Sequence, residues 1–149
     1  MDELGFDAAV DYRAEPVLEG LRRHCPDGID VHFENVGGDA LDAGLTLMND
    51  SGRVVICGLI STYNAAGPVP GPYMFRNVIM RRLRIEGFVI LDHLADYPRM
   101  VAELAEWMLA GKLRHRLHIV DGLNDAVEGL KLLYSGGNGG KFLVRVGSE

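Results

Sequence analysis

The chain has 149 residues, a net charge of −6, 48% hydrophobic residues and 24% charged residues, which is the balance of an ordinary globular protein. One domain is the default at this length, and folding should bury roughly 70% of the unfolded surface. The acidic balance argues against a nucleic-acid partner, which needs a basic face to neutralise phosphates. No apolar run approaches the length of a membrane span, and Met1-Asp2-Glu3 is not the charged start of a signal peptide, so the expectation is a soluble cytoplasmic protein. Cys25 and Cys57 are the only cysteines and lie in no CxxC pair, which argues against a disulfide scaffold and a cysteine-based zinc site. Cys57, within the apolar run VVICG, is expected as a buried thiol.

Asp2 to Gly5 read as the last turn of a helix, with Gly5 as its left-handed terminator. Asp7 to Tyr12 is predicted as a short strand that ends at Tyr12 and Arg13. A helix from Glu15 to His24 follows, with Pro16 in its first turn and Val17, Leu18 and Leu21 on one face. Ile29 to Phe33 alternates as a strand and runs through Glu34-Asn35-Val36 into Gly37-Gly38, ahead of a helix over Ala40 to Met48. Gly44 weakens that helix by about 1 kcal/mol relative to alanine. Asn49 to Gly52 is a turn, and Arg53 to Cys57 a buried strand.

The stretch Thr62 to Pro72 holds three prolines and two glycines and is a loop. Tyr73 to Arg82 forms a helix with Phe75, Val78 and Ile79 inward, and Leu83 to Leu91 a central or near-central strand. Asp96 caps a helix reaching Ala110, with Met100, Leu104, Trp107 and Met108 inward and Gly111 at its end. Leu117 to Val120 is a short strand. A helix then carries Leu123, Ala126, Val127, Leu130, Leu133 and Tyr134 at helical spacing. After the glycine-rich loop at 136–140, Lys141 to Val146 is the last strand.

Strands alternating with helices imply an α/β fold with a mostly parallel sheet covered on both faces. In such sheets ligands bind outside the carboxyl ends of the strands, so Arg53 to Asn64, where a buried strand breaks at Gly58 into small polar residues beside Tyr63, is the first candidate for a site. The fold alone chooses no function.

Four motifs occur in order: Glu34-Asn35-Val36-Gly37-Gly38, Cys57-Gly58-Leu59-Ile60-Ser61-Thr62-Tyr63-Asn64, Glu86-Gly87-Phe88-Val89-Ile90, and Asn138-Gly139-Gly140-Lys141. Together they resemble the zinc-independent medium-chain reductases, the leukotriene B4 12-hydroxydehydrogenase/prostaglandin reductase group with its NADPH-dependent enone and quinone reductase relatives. The likeness runs the length of the chain. It departs at Glu34, where the family usually has aspartate.

The resemblance implies NADP as cofactor, an enone, aldehyde or quinone as small-molecule substrate, no zinc, and a homodimer. It implies cofactor contacts at Tyr12, beside the adenosine 2′-phosphate, and at Asn35, near the ribose and nicotinamide. Cys57, Gly58, Ile60, Ser61, Thr62 and Tyr63 are implied as one wall, Phe88, Val89 and Ile90 as the packing on the nicotinamide, and Asn138 as a late closing residue. Tyr63 is the implied catalytic hydroxyl. Each has a structural reading as well: Tyr12 covering a strand end, Asn35 to Gly38 as a tight turn, Tyr63 as a surface tyrosine, Asn138 supporting a positive φ. Phe88 to Ile90 are core residues in either case, and His93 is read as structural or exposed.

The family's glycine-rich pyrophosphate loop, GxGxxG or a variant, is not found in residues 1–30, nor is its lysine for the 2′-phosphate. By the resemblance the chain is a partial Rossmann-like sheet lacking the first two strands. Residues up to about 115 would belong to the dinucleotide-binding domain and about 116–149 to a segment returning to the catalytic domain. In the order 3-2-1-4-5-6 the strand at Asp7 to Tyr12 then loses its neighbour, and the next strand shows an open edge that invites dimerisation. The isolated chain is expected to be inactive. The alternative is a non-catalytic chain that acts only as a folding or dimerisation unit.

Overall fold

The computed structural model describes residues 4–147. Two compact units make up the chain, one spanning Gly5–Leu94 and one built chiefly from residue 95 onward, and each is described by itself. Asp2 and Glu3 of the expected opening helical turn lie outside the described residues; Gly5 has φ +75°.

The first unit is a three-stranded parallel sheet in the order β1-β2-β3, formed by β1 (Ile29–Glu34), β2 (Met48–Ile56) and β3 (Arg84–Gly87). The central strand is therefore β2, and the strand expected to be central lies at an edge. Helices α1 (Val17–His24), α2 (Gly38–Leu47) and the short α3 (Asn77–Met80) complete it. Leu41, Leu45, Met48 and Val54 form the buried core between α2 and the sheet, with Ile29, Ile56, Met74, Leu83 and Ile85 packed around them. Each such side chain contributes about 1.5–3 kcal/mol by leaving water.

Asp7 to Tyr12 is not a strand. With no ladder neighbour, the chain instead turns on Asp11. The Asp11 carbonyl accepts from the amides of Ala14 (2.9 Å) and Glu15 (3.1 Å), and its carboxylate accepts from the Arg13 amide at 2.9 Å. Val10 packs on Gly20 of α1, where a Cβ would come within 2.4 Å of a Val10 methyl. Helix α1 begins after Pro16, two residues later than expected, and the Glu15 carboxylate is left to pair with Arg23 at 2.6 Å. Val17, Leu18 and Leu21 are half-buried on its inner face, as the spacing predicts.

The expected turn at Asn49–Gly52 is carried inside β2 as a large irregularity. Ile29 pairs with Met48, yet Val31 pairs with Arg53, and Ser51 takes φ +63°. The expected strand Leu83–Leu91 shortens to β3 because its neighbour ends first. The Phe88 amide still reaches the Ile56 carbonyl at 2.9 Å, and a 3-10 turn (Ile90–Asp96) follows. The helix expected at Tyr73–Arg82 is a 3-10 turn (Tyr73–Arg76) joined to α3, and its phase differs from the expected one. Phe75 and Ile79 face out, Val78 is half-buried as expected, and Met74 and Asn77 face in. The Met74 amide bonds an Asp42 carboxylate oxygen (2.8 Å), and Asn77 Nδ2 bonds the Leu45 carbonyl (2.9 Å). Two polar anchors on α2, not the apolar spacing, set that phase.

The second unit contains α4 (Tyr97–Leu109), α5 (Ala126–Ser135) and the parallel pair β4 (Leu117–Asp121) and β5 (Lys141–Arg145). In α5 the inner face is Ala126, Gly129 and Leu132, one step from the expected Leu130 and Leu133. Phe142 decides this: a Cβ on Gly129 would lie 2.0 Å from its ring, so only glycine lets the helix sit over it. On α4, Met100 is half-buried, and Leu104, Trp107 and Met108 are exposed, contrary to the expected inward face. Among the described residues no helix is long and apolar enough to cross a membrane.

Candidate functional site

Strands β1 and β2 end side by side, and the two segments that follow them are hydrogen-bonded together. The amides of Cys57 (2.8 Å) and Gly58 (3.1 Å) both donate to the Glu34 carbonyl. The Ile60 amide donates to the Asn35 carbonyl at 3.1 Å and the Ser61 amide to the Val36 carbonyl at 2.9 Å. Gly37, at φ +79°, lies where a Cβ would be 3.1 Å from Ser61 Oγ and 3.2 Å from Leu59, so this close approach needs glycine. Beyond it the chain makes a 3-10 turn (Ile60–Thr62), closed by the Thr62 hydroxyl donating to the Leu59 carbonyl at 2.7 Å.

The residue that shapes this corner is Glu34. It is 2% exposed, and one carboxylate oxygen accepts from the amides of Val36 and Gly37, the latter at 3.0 Å. The other oxygen meets His32 Nε2 at 2.8 Å. Burial pushes the Glu34 carboxyl up. The amides of Gly37 and Val36 and the His32 imidazole bind its charged form and outweigh burial, so it lies below the ordinary glutamate value. In the sequence Glu34 stands out only as a departure from the family's usual aspartate. The available signal was a histidine two residues earlier on the same strand face.

An open, mostly apolar cleft of about 870 Å³ lies beside this corner, bordered by Tyr12, Val36, Gly37, Ile60, Ser61 and Tyr73 among others. The structure thus brings together Asn35, Cys57, Gly58, Ile60, Ser61 and Phe88 at one sheet edge, with Tyr12 on the cleft. Tyr12 is 68% exposed, with the Arg13 guanidinium 5.8 Å from its ring centroid. Thr62 and Tyr63 are on the same loop, and Tyr63 is 65% exposed with its amide on the Ile60 carbonyl, outside the cleft lining.

Cys57 is exposed, contrary to the expected burial, because β2 stops at Ile56 and Cys57 falls just beyond the edge. Cys25 and Cys57 are both free thiols. Phe88 is half-buried, its ring 6.5 Å from Phe33 and stacked on His93 at 5.3 Å. Val89 and Ile90 are exposed and so are not core residues; they lie past the end of β3, open at the edge. Asn138 belongs to the second unit, where its side-chain amide donates to the Gly140 carbonyl at 2.8 Å. It does not support a positive φ, which among the described non-glycine residues is found at Ser51 and Arg82.

Residues 4–144 match the family model described as zinc-binding dehydrogenase. The chain belongs to the zinc-binding dehydrogenase family. It is 38% identical over 154 aligned positions to the NADPH-dependent curcumin reductase of Escherichia coli (strain K12), covering 98% of this chain and 44% of that protein. It is 40% identical over 148 positions to the 2-alkenal reductase (NADP(+)-dependent) of Nicotiana tabacum, covering 99% of this chain and 43% of that protein. The structure superposes on CurA from Vibrio vulnificus, solved in complex with NADPH, with a TM-score of 0.88 at 36% identity, over 97% of this chain and 44% of that one. The chain therefore spans less than half the length of the relatives it matches. The family and the Rossmann-like α/β class agree with the resemblance read from the four motifs. Among the described residues there is no group of three or more His, Cys, Asp or Glu that could hold a metal ion.

Proposed function

We propose that this chain forms the nicotinamide-side wall of an NADPH site in an NADP-dependent oxidoreductase that reduces the double bond of α,β-unsaturated carbonyls or quinones. The observation that carries this reading is the joined pair of segments at the carboxyl edge. Glycine contacts bring Asn35 to Gly38 and Cys57 to Tyr63 together, at the place where doubly wound sheets bind nucleotides. The reductase relatives and the NADPH complex of CurA support it.

The residues fit the nicotinamide and adenosine ends of such a ligand. Val36, Ile60 and Ser61 border an apolar cleft suited to a planar ring, and exposed Val89 and Ile90 offer apolar cover at the same edge. Asn35 is assigned to the ribose and nicotinamide, Tyr12 to the adenosine 2′-phosphate, and Cys57, Gly58 and Thr62 to the cofactor wall. Phe88 packs behind it. Bound there, NADPH would supply a hydride to the β-carbon of the substrate. The chain's own part is to orient the ring and exclude water, and Tyr63 is assigned the hydroxyl that holds the enolate oxygen or relays a proton to the α-carbon. No zinc enters this chemistry.

The sequence carries no GxGxxG loop, so in this reading the 149 residues by themselves bind NADPH weakly and turn over no enone. The open β1 edge, with Val31 and Phe33 exposed, supports homodimer formation, and the assigned location is the cytoplasm. The test is a titration of NADPH followed by backbone amide shifts, together with an enone-dependent NADPH-consumption assay. Shifts at Tyr12 and in 35–37, 57–63 and 88–90 support the site. Enone-dependent turnover by the isolated chain would overturn the division of labour, and no shift at any concentration would favour a non-catalytic folding or dimerisation unit.

A further inference from the structure

The turn at Asn35–Gly38 has an unusual anchor for a loop at a sheet edge. Its amides at Val36 and Gly37 donate to the buried carboxylate of Glu34, a side chain of the strand they follow. That carboxylate is itself held from below by His32 Nε2 at 2.8 Å, with the His32 side chain 18% exposed. His32 in turn lies against α2 at Gly44, which has no side chain. A Cβ on Gly44 would stand 2.9 Å from Nε2 and 3.0 Å from two ring carbons. A glycine in mid-helix costs stability relative to alanine, and here the vacancy is filled by the imidazole. The same turn then receives the Ile60 and Ser61 amides of the neighbouring segment on its carbonyls, so its geometry is passed on to the second wall of the cleft.

We propose that Glu34 is the positioning residue of the candidate site, with His32 fixing its carboxylate and Gly44 making room for His32, so that the pose of Asn35 and the approach of Ile60 and Ser61 are set from inside the sheet. This rests on the proposed NADPH site only for the identity of the ligand; the chain of contacts stands on the structure. Two parts of the carboxylate do different work. One oxygen stitches the turn and the other is restrained by the imidazole, which stops the side chain from rotating away. Charge-assisted hydrogen bonds are the stronger kind, and a satisfied buried carboxylate has one geometry where a solvated one has many. Glutamate, one methylene longer than aspartate, is what spans the gap between His32 and the turn amides.

The test is amide hydrogen exchange on the full chain, reading Val36 and Gly37 against Val54 in the core. Glu34→Gln keeps the shape and removes the charge. It is expected to speed exchange at Val36 and Gly37 by about tenfold, the loss of roughly one charge-assisted bond, while Val54 changes far less. His32→Ala is expected to do the same, and the Glu34→Gln/His32→Ala double variant to add little, because the two residues act through one contact. Gly44→Ala should speed exchange in the natural chain and have no such effect in the His32→Ala background, which keeps the idea testable if a Glu34 variant fails to fold. Weakened NADPH-induced shifts at Asn35 and Ser61 in Glu34→Gln complete the expected result. Unchanged exchange at Val36 and Gly37, or a rise equal to that at Val54, would overturn the proposal. A clamp that behaves as described in a chain that does not respond to NADPH would leave the positioning in place and remove the function. NADPH binding that ignores the clamp variants would do the reverse.

Discussion

The turn after β1 and the segment after β2 stand at the same sheet edge and are held by opposite means. Asn35–Gly38 is tied to a buried, fully satisfied carboxylate, and its amides are committed inward. Cys57–Asn64 is tied to β1 and the turn by backbone bonds, first to the Glu34 carbonyl and then to the turn itself, and it leaves Cys57, Ile60 and Tyr63 exposed. One segment is a fixed wall and the other leans on it. In the proposed site the geometry is then kept by the strand, and Tyr63, the assigned hydroxyl, is carried on the neighbouring loop, where catalytic groups are commonly found.

If the comparison is right, damage to the first segment should spread to the second, but not the reverse. The largest effect is expected from Glu34→Ala, which strands the Val36 and Gly37 amides and the His32 imidazole without a buried partner. About 3 kcal/mol of stability should be lost, read as a fall in the urea midpoint at constant slope. Acid should imitate this. The Glu34 carboxyl is held below its ordinary value in the folded chain, so its contribution is present above the unfolded value near about 4.3 and is lost as pH falls through the lower folded value. An acid unfolding curve for Glu34→Gln should lack that part of the slope.

A smaller effect is expected from Gly44→Ala. Helix propensity favours alanine by about 1 kcal/mol, but the new methyl meets the His32 ring, and overpacking costs about 1–3 kcal/mol, so the net change should be a loss of about 1 kcal/mol in the same measurement. The smallest change in stability belongs to the second segment. Tyr63→Phe should alter the urea midpoint by less than about 0.5 kcal/mol, since the side chain is exposed, and should leave exchange at Val36 and Gly37 untouched. A large loss of stability from Tyr63→Phe would break the division between wall and loop.

Much of the fold was legible because its signals are local. The alternation of strands and helices, the Gly37-Gly38 and Gly58 breaks, and the inner face of α1 all read directly from residue type and spacing. What was not legible depends on partners distant in the chain. The phase of Tyr73–Met80 is set by Asp42 and Leu45 on α2, thirty-two positions away from the residues they hold, and the face of α5 by Phe142. The length of β3 is set by where β2 ends, which also explains why Val89 and Ile90 are exposed and not buried. At the candidate site, the motifs point to Asn35 and the Cys57–Tyr63 loop. The carboxylate beneath them is not legible, because a glutamate beside a tight turn looks, in sequence, like a solvated one.

The most direct test of the central claim is the NADPH titration read residue by residue. The account predicts saturable amide shifts at Asn35, Gly37, Ile60, Ser61 and Val89, weaker for NADH, with Ser51, near the start of β2, and Arg82, just before β3, unmoved. Shifts absent from the carboxyl edge, or centred on Ser51 and Arg82, would contradict it.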